Sequence, residues 1–201
     1  SNTQNSDNIF MGLGAGFYHG SNGPEAGNYK NNIYIGIEAG KGVAGSTFGK
    51  NNIYIGPYSG KNSSTAQLNV FMGYKSGELI QSGTENVIIG NEAGYSISTG
   101  GSNTFLGTFA GWKNNGSNNT FIGDNTGRDI TAGYRNTFVG SQAGQLGYSG
   151  NYNVFMGFNA GRKHYSGDNN VYIGLKPKNE GLCAITFSPY QREIKQAQNP
   201  D

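Results

Sequence analysis

The residues that could support catalysis or metal binding in this chain are few and lie far apart. The sequence holds two histidines, His19 and His164, and one cysteine, Cys183, and these do not share the spacing of a metal site. Asp124 and Asp168 are single carboxylates, and neither has a second carboxylate placed for general acid–base chemistry. We therefore expect a protein that is not an enzyme and that holds no metal ion and no cofactor.

One glycine-rich segment, Gly12 to Gly16, has the look of a dinucleotide-binding loop. Such a loop opens a helix and is followed about 20 residues later by an acidic residue within a βαβ unit, and this context is missing here. The segment also recurs, with variations, along the whole chain. We therefore interpret it as a corner of a repeated structural unit.

The composition excludes several classes of protein. Glycine accounts for 35 of the 201 residues but has no three-residue period, which excludes collagen, and abundant glycine and asparagine disfavour helices. Charged residues make up 13% and aromatic residues 12%, and this composition argues against a charge-rich, intrinsically disordered chain. The net charge of +2 and the lack of a basic run predict no nucleic-acid binding, and no apolar run is long enough for membrane insertion.

An internal repeat predicts the architecture. Short cores led by asparagine recur mostly every 17 residues, and each core is followed by glycine. A unit of this length fits one coil of a narrow all-β parallel β-solenoid, stacked at the strand spacing of about 4.8 Å. We expect about ten coils over residues 1–175, and a C-terminal cap or a transition to a further domain over residues 176–201. The leading residues are Asn8, Asn32, Asn52, Asn69, Asn86, Asn103, Asn119, Asn136, Asn153 and Asn170.

Each position of the repeat, numbered as a column from the leading asparagine, holds one kind of residue. Stacked amides in column one predict an asparagine ladder along the solenoid axis, which is compatible with asparagine also serving as a turn residue. Glycine in columns five and nine predicts corners with positive φ, or places without room for a side chain.

Columns two to four predict which side of the strand is buried. Columns two and four are aliphatic or threonine and column three is aromatic, so alternation along the strand places them on opposite faces. We expect columns two and four to fill the coil and the rings to point outward, where an apolar stripe of that size needs a cover. The alternative is the reverse arrangement, in which the rings fill the coil. The rings that form the candidate oligomer seam are Phe10, Tyr34, Tyr54, Phe71, Phe105, Phe121, Phe138, Phe155 and Tyr172.

Candidate ligand-binding residues lie outside the regular columns. Exposed rings beside polar and cationic side chains suit the binding of sugars, because the ring stacks and the polar groups orient the ligand. The alternative is that these rings fasten loops or the seam between chains. The candidates are Tyr18, Phe48, Tyr95, Trp112, Lys113, Arg128, Tyr134, Tyr148, Arg162 and Tyr165, and Phe17, Lys41 and Lys61 share the column of Trp112 and Arg128.

The segments Asn119 to Gly127 and Asn136 to Gly144, of the form Asn-Thr-Phe-x-Gly-x-x-small-Gly, carry a family resemblance. The pattern resembles repeats of phage tail fibres and bacterial fibre-like surface proteins. It is more distantly similar to the heads of YadA-like trimeric autotransporter adhesins, which are left-handed parallel β-rolls. The resemblance implies a homotrimeric fibre segment that is extracellular, at a cell surface or on a virion, and that binds a glycan or protein receptor. The alternatives are a glycan-binding module with the aromatic column as its platform and, more remotely, an ice-binding solenoid.

Overall fold

The computed structural model describes residues 7–18, 30–46, 49–147, 149–163 and 166–174. Over these residues the chain forms ten strands and no helix, and the strands make one parallel sheet in the order of the sequence. The predicted all-β parallel β-solenoid is therefore confirmed, whereas the predicted cap or transition at 176–201 lies outside the described residues. The strands are β1 (Ile9–Met11), β2 (Ile33–Ile35), β3 (Ile53–Ile55), β4 (Val70–Met72), β5 (Val87–Ile89), β6 (Thr104–Leu106), β7 (Thr120–Ile122), β8 (Thr137–Val139), β9 (Val154–Met156) and β10 (Val171–Ile173).

The strands pair in a constant register, so each column runs straight along the axis. In β7 and β8, Phe121 is the partner of Phe138, and the same columns pair between all the neighbouring strands. Hydrogen bonds between coils continue through the turns, where the Gly94 N–H donates to the Ala110 carbonyl over 2.9 Å. Strands of only three residues are stable here because the turns, which make up most of each coil, are also joined to the next coil.

The aromatic column fills the interior of the coils. The side chains of Tyr34, Phe71 and Phe121 have no exposed surface, and the ring centroids of Phe121 and Phe138 lie 4.9 Å apart with planes 12° from parallel. Ile88 divides the column into two stacks. The prediction that these rings form an oligomer seam is therefore wrong, and so is the use of the column as a glycan platform. The correction applies to Phe10, Tyr34, Tyr54, Phe71, Phe105, Phe121, Phe138, Phe155 and Tyr172, of which Phe10 and Tyr172, in the first and last strands, are part-exposed.

The glycine of column nine explains why the rings lie inside. Gly127 has a φ of +57°, and a Cβ on it would lie 2.6 Å from Cε2 of Phe121 in the same coil. Column eight is also small and buried, as at Ala93 and Ala143. These two columns leave a space that one aromatic ring fills in every described coil except that of Ile88.

The aliphatic columns two and four point outward, in contrast to the prediction that they fill the coil. Met11 is 59% exposed and Leu106 is 45% exposed, and no member of either column is fully buried in the described strands. The two columns do share one face, as strand alternation predicts. The prediction of which face is inside is wrong, because the residues on both faces are apolar and hydrophobicity does not distinguish them.

The leading asparagines form a ladder along the axis. Oδ1 of Asn69 accepts both the N–H and the Nδ2 of Asn86 at 3.0 Å, and Nδ2 of Asn86 also donates to the Gly100 carbonyl at 2.9 Å. The amide thus joins one coil to the previous one and closes its own coil. The same bond to the preceding Oδ1 is made from Asn32 to Asn170. The predicted structural ladder is present, and it is buried between Asn32 and Asn153.

Candidate functional site

The first candidate surface is an aliphatic face made of columns two and four of β1 to β10. On the usual spacings of a sheet it is roughly 45 Å long and 10 Å wide. Thr104, Thr120 and Thr137 lie on it in neighbouring strands, and Ile or Val occupies column two in the other seven strands. An apolar patch of this size is at the upper end of what monomeric proteins expose.

The second candidate surface, which we call the turn surface, consists of columns six, seven, ten and eleven. It carries seven cationic side chains and five carboxylates, while the rest of the described residues carry three of each. The excess positive charge of the described residues therefore lies on this surface. The cations are Lys41, Lys61, Lys75, Lys113, Arg128, Arg162 and Lys163, and the carboxylates are Glu38, Glu78, Glu92, Asp124 and Asp129.

A groove of about 660 Å³ lies at the N-terminal end of the turn surface. Its apolar wall is strongly exposed, since Leu13 is 81% and Phe17 is 63% exposed. Phe17 meets Tyr18 edge to face, with ring centroids 4.9 Å apart. The groove is lined by Leu13, Gly14, Phe17, Tyr18, Ile37, Glu38, Lys41, Tyr58 and Lys61. It combines an apolar wall with a charged one.

The charged wall consists of one carboxylate held by two lysines. Oε1 of Glu38 lies 2.8 Å from Nζ of Lys41, and Oε2 lies 2.8 Å from Nζ of Lys61. Hydrogen bonds from Lys41 and Lys61 lower the pKa of Glu38, and the bond to Glu38 raises the pKa of Lys61. Nζ of Lys61 also lies 5.0 Å from the ring centre of Tyr58. The wall holds two lysines and one carboxylate, so its formal charge is +1.

A second cluster of the same kind lies further along the turn surface. Asp129 is 2.9 Å from Nζ of Lys113 and 2.8 Å from Nη2 of Arg128. Burial acts to raise the pKa of Asp129, but the hydrogen bonds from Arg128 and Lys113 outweigh it and leave the pKa lowered. Lys113 also lies over the ring of Trp112, at 5.7 Å. This cluster again has two cations, one carboxylate and an aromatic ring.

The rings of Tyr95 and Trp112 lie together, but they stack on each other, so one face of each ring is covered by the other. Their centroids are 5.7 Å apart with planes 18° from parallel, and Trp112 Nε1 donates to Oε2 of Glu92 at 3.1 Å. Nζ of Lys75 lies 5.7 Å from the centre of the Tyr95 ring. A sugar stacked on either ring would have to displace these contacts, so this pair is a poorer platform than the exposed ring of Phe17.

The remaining candidates of the sequence analysis are scattered. Tyr18 lies in the groove, whereas Tyr134 lies in column 16, away from the turn surface, and is 51% exposed. Arg162 belongs to the turn surface, where its Nε donates to Gln145 at 2.9 Å. Phe48, Tyr148 and Tyr165 lie outside the described residues.

Sequence reasoning missed four side chains of the groove, those of Leu13, Ile37, Glu38 and Tyr58. The signal was available, because columns seven and ten are three residues apart across a turn, and this spacing brings Glu38 to Lys41. The contact of Glu38 with Lys61 spans two coils and needed the structure.

The described residues contain no group of three His, Cys, Asp or Glu side chains close enough to hold a metal ion, and no helix able to cross a membrane. The Gly12 to Gly16 segment forms the turn after β1, and a Cβ on Gly12 would lie 2.6 Å from the Gly36 carbonyl oxygen. Gly12 therefore allows the first described coil to stack on the second.

Comparisons of the chain with protein-family models, with curated proteins and with solved structures gave no match. The functional argument rests on the two surfaces described above.

Proposed function

We propose that the chain is a structural and attachment segment of a homo-oligomeric fibre, a rigid shaft or head at a cell surface or on a virion. The observation that carries the proposal is the aliphatic face, whose column four is aliphatic in all ten described strands and whose column two is Ile or Val in seven of them. Such a face is stable in water when another apolar surface covers it.

Identical chains are the best cover for this face. Each coil presents the same two columns at the same spacing, so copies related by rotation about an axis parallel to the stack match strand for strand. The face is narrow, which suits three copies packed around a common axis. A homotrimer is also what the resemblance to fibre repeats implies, and left-handed coils are what the more distant similarity to YadA-like adhesin heads implies.

Mechanical stiffness follows from bonds that run along the axis. The strand hydrogen bonds, the turn hydrogen bonds and the asparagine ladder all join one coil to the next. A fibre of this construction holds its turn surfaces outward and away from the particle that carries it. The turn surface is then the part available for attachment to a receptor.

The proposal is tested by charges placed on the aliphatic face. Ile122 and Val139 are partners in neighbouring strands and their side chains are partly exposed. In a separated chain we therefore expect the side chains of an Ile122→Glu, Val139→Glu variant to reach water, where their mutual repulsion is a modest cost. Buried between chains, the two carboxylates are costly, and we expect the oligomer to dissociate with its strand content unchanged by circular dichroism.

The matched control is Leu68→Asn. Leu68 is 51% exposed, lies outside the aliphatic face, and has a φ of +59°, which asparagine tolerates. Sedimentation equilibrium should show this variant at the mass of the unmodified oligomer. An Ile122→Glu, Val139→Glu protein that keeps the oligomer mass would overturn the proposal.

A further inference from the structure

The turn surface carries a repeated arrangement that the stiffness of a fibre does not require. In each of two clusters, a single carboxylate is shared by two cations beside an aromatic ring: Glu38 with Lys41 and Lys61, and Asp129 with Lys113 and Arg128. Surface ion pairs of one cation and one carboxylate leave no net charge, whereas each of these clusters has a charge of +1. An ammonium group has three donors, and the lysines of the first cluster each use one on Glu38.

We propose that the turn surface binds a linear glycan whose sugars carry carboxylates, and that the N-terminal groove holds one such sugar. This inference rests on the proposed function, because it names the ligand class of the attachment surface. In the groove, the carboxylate of the sugar bonds to Lys41 and Lys61, and the apolar face of the sugar ring lies against Phe17 and Leu13.

The groove has the size and chemistry for this ligand. Its volume of about 660 Å³ lies within the range of small-molecule sites, and its apolar and charged walls face the same space. The ring of Phe17, which is 63% exposed, offers the apolar surface that a sugar ring needs. Glu38 contacts both ammonium groups, so it competes with the ligand carboxylate for them.

The placement of the second cluster indicates an oligosaccharide. The clusters lie about four coils apart, which corresponds to roughly 19 Å along the axis. Lys75 lies between them on the same surface, 3.5 Å from Glu78, and Arg162 lies beyond them. A chain with carboxylates along its length can contact these cations when it lies parallel to the solenoid.

The charge density favours a carboxylated glycan over a nucleic acid. The turn surface carries only two more cations than carboxylates, and a phosphate at every nucleotide needs a denser basic surface. A nucleic acid or other polyphosphate is therefore treated as a competing outcome of the test.

The test measures binding of polygalacturonate and of polysialate oligosaccharides to the assembled full chain by isothermal titration calorimetry. The matched ligand control is the methyl ester of the same galacturonate oligosaccharide, which keeps the sugar rings and removes the charges. We expect at least one acidic oligosaccharide to bind at least tenfold more tightly than the ester. The two acidic ligands distinguish a uronic acid from a sialic acid.

Two variants are expected to change the affinity for the glycan in opposite directions. Lys61→Gln removes a ligand-binding cation, and we expect affinity to fall tenfold or more. Glu38→Gln removes the carboxylate that competes with the ligand, and we expect affinity to rise several-fold. If Glu38 and Lys61 had only a structural role, both variants would weaken binding or leave it unchanged. Lys50→Gln, which removes an exposed charge outside the turn surface, is the control for net charge and should bind as the unmodified protein does.

Several results would overturn the inference: equal binding of the ester, no binding of either acidic oligosaccharide, tighter binding of inorganic polyphosphate, or weaker binding by Glu38→Gln. The oligomer mass of the same sample is measured in parallel. An intact oligomer without glycan binding contradicts this inference alone, whereas a monomeric protein contradicts the proposed function.

Discussion

The ring of Phe121 lies against Gly127 of its own coil, so closely that a methyl group on Gly127 would be 2.6 Å from the ring carbon Cε2. The same pair recurs between Phe71 and Gly77 and between Phe105 and Gly111. One column of glycines therefore decides that the aromatic column faces inward, and the inward rings leave the aliphatic columns outside.

Gly127→Ala should destabilise the protein by about 2–4 kcal/mol. The alanine would have to adopt a φ of +57° and its Cβ would displace the Phe121 ring. Denaturant unfolding of the assembled protein measures the change.

Gly45→Ala separates the cost of a positive φ from the cost of the contact with the ring. Gly45 also has a positive φ, of +79°, but nothing lies within 4 Å of a Cβ built there. Its cost should be only about 1 kcal/mol. Equal costs for the two variants would contradict the role of the ring contact.

The sequence was sufficient to predict the solenoid but not which side chains fill the interior of its coils. The repeat predicts ten parallel strands, and strand alternation places the side chains of Phe121 and Ile122 on opposite faces of the sheet. Both residues are apolar, so hydrophobicity does not decide which is buried. Which of the two side chains is buried depends on the space beside Gly127, and this space exists only once the coil has closed.

The candidate site was also predictable only in part, because the repeat shows which residues share a column but not which side chains touch between coils. Lys41 and Lys61 belong to one column and were visible in the repeat, whereas the contact of Glu38 with Lys61 depends on how two coils stack. The column of Trp112 and Tyr95 suggested free rings, because the sequence does not show that they stack on each other.

Asn103→Ala should cost about 3–5 kcal/mol. It removes the bonds from Nδ2 to Asn86 at 3.0 Å and to Gly116 at 2.8 Å, and it leaves the buried Asn119 donors without their Oδ1 acceptor. Urea unfolding measures the loss.

Asn103→Asp is the isosteric comparison. It keeps an acceptor for Asn119 but places a carboxylate against the oxygens of Asn86 and Gly116, which raises its pKa. A raised pKa means that this variant is most stable at acidic pH, where the group is protonated, and loses stability as the pH rises. A variant that is as stable at neutral pH as at acidic pH would contradict the ladder.

Ile88→Phe should stabilise the protein by about 0.5–1.5 kcal/mol. The new ring would join the two stacks that Ile88 now separates, next to Phe71 and Phe105. Coil four holds both Phe71 and Ile80 in its buried interior, so a ring beside Ile97 fits in coil five. The change in the midpoint of thermal unfolding tests this, and a clear decrease would contradict it.

Tyr54 makes the protein sensitive to alkali. Burial raises the pKa of the Tyr54 hydroxyl above its ordinary range, against the lowering effect of hydrogen bonds from Ser63 and Asn69. The unfolded chain ionises this group near pH ~10, so stability is intact below that pH and falls above it by about 1.4 kcal/mol per pH unit.

Tyr54→Phe should therefore reduce the loss of stability above about pH 10, at a cost of about 1 kcal/mol or less at neutral pH. Unfolding curves measured across the alkaline range test this. Tyr134→Phe, at a position that is 51% exposed, is the control and should keep the slope of the unmodified protein. An unchanged slope in Tyr54→Phe would show that the buried hydroxyl does not contribute.

The central claim is that identical chains cover the aliphatic face, and the solution mass tests it most directly. Sedimentation equilibrium over a wide range of protein concentrations should give three times the chain mass of 21.3 kDa. A single chain at every concentration would contradict the account, because the apolar face of β1 to β10 would then be exposed to water.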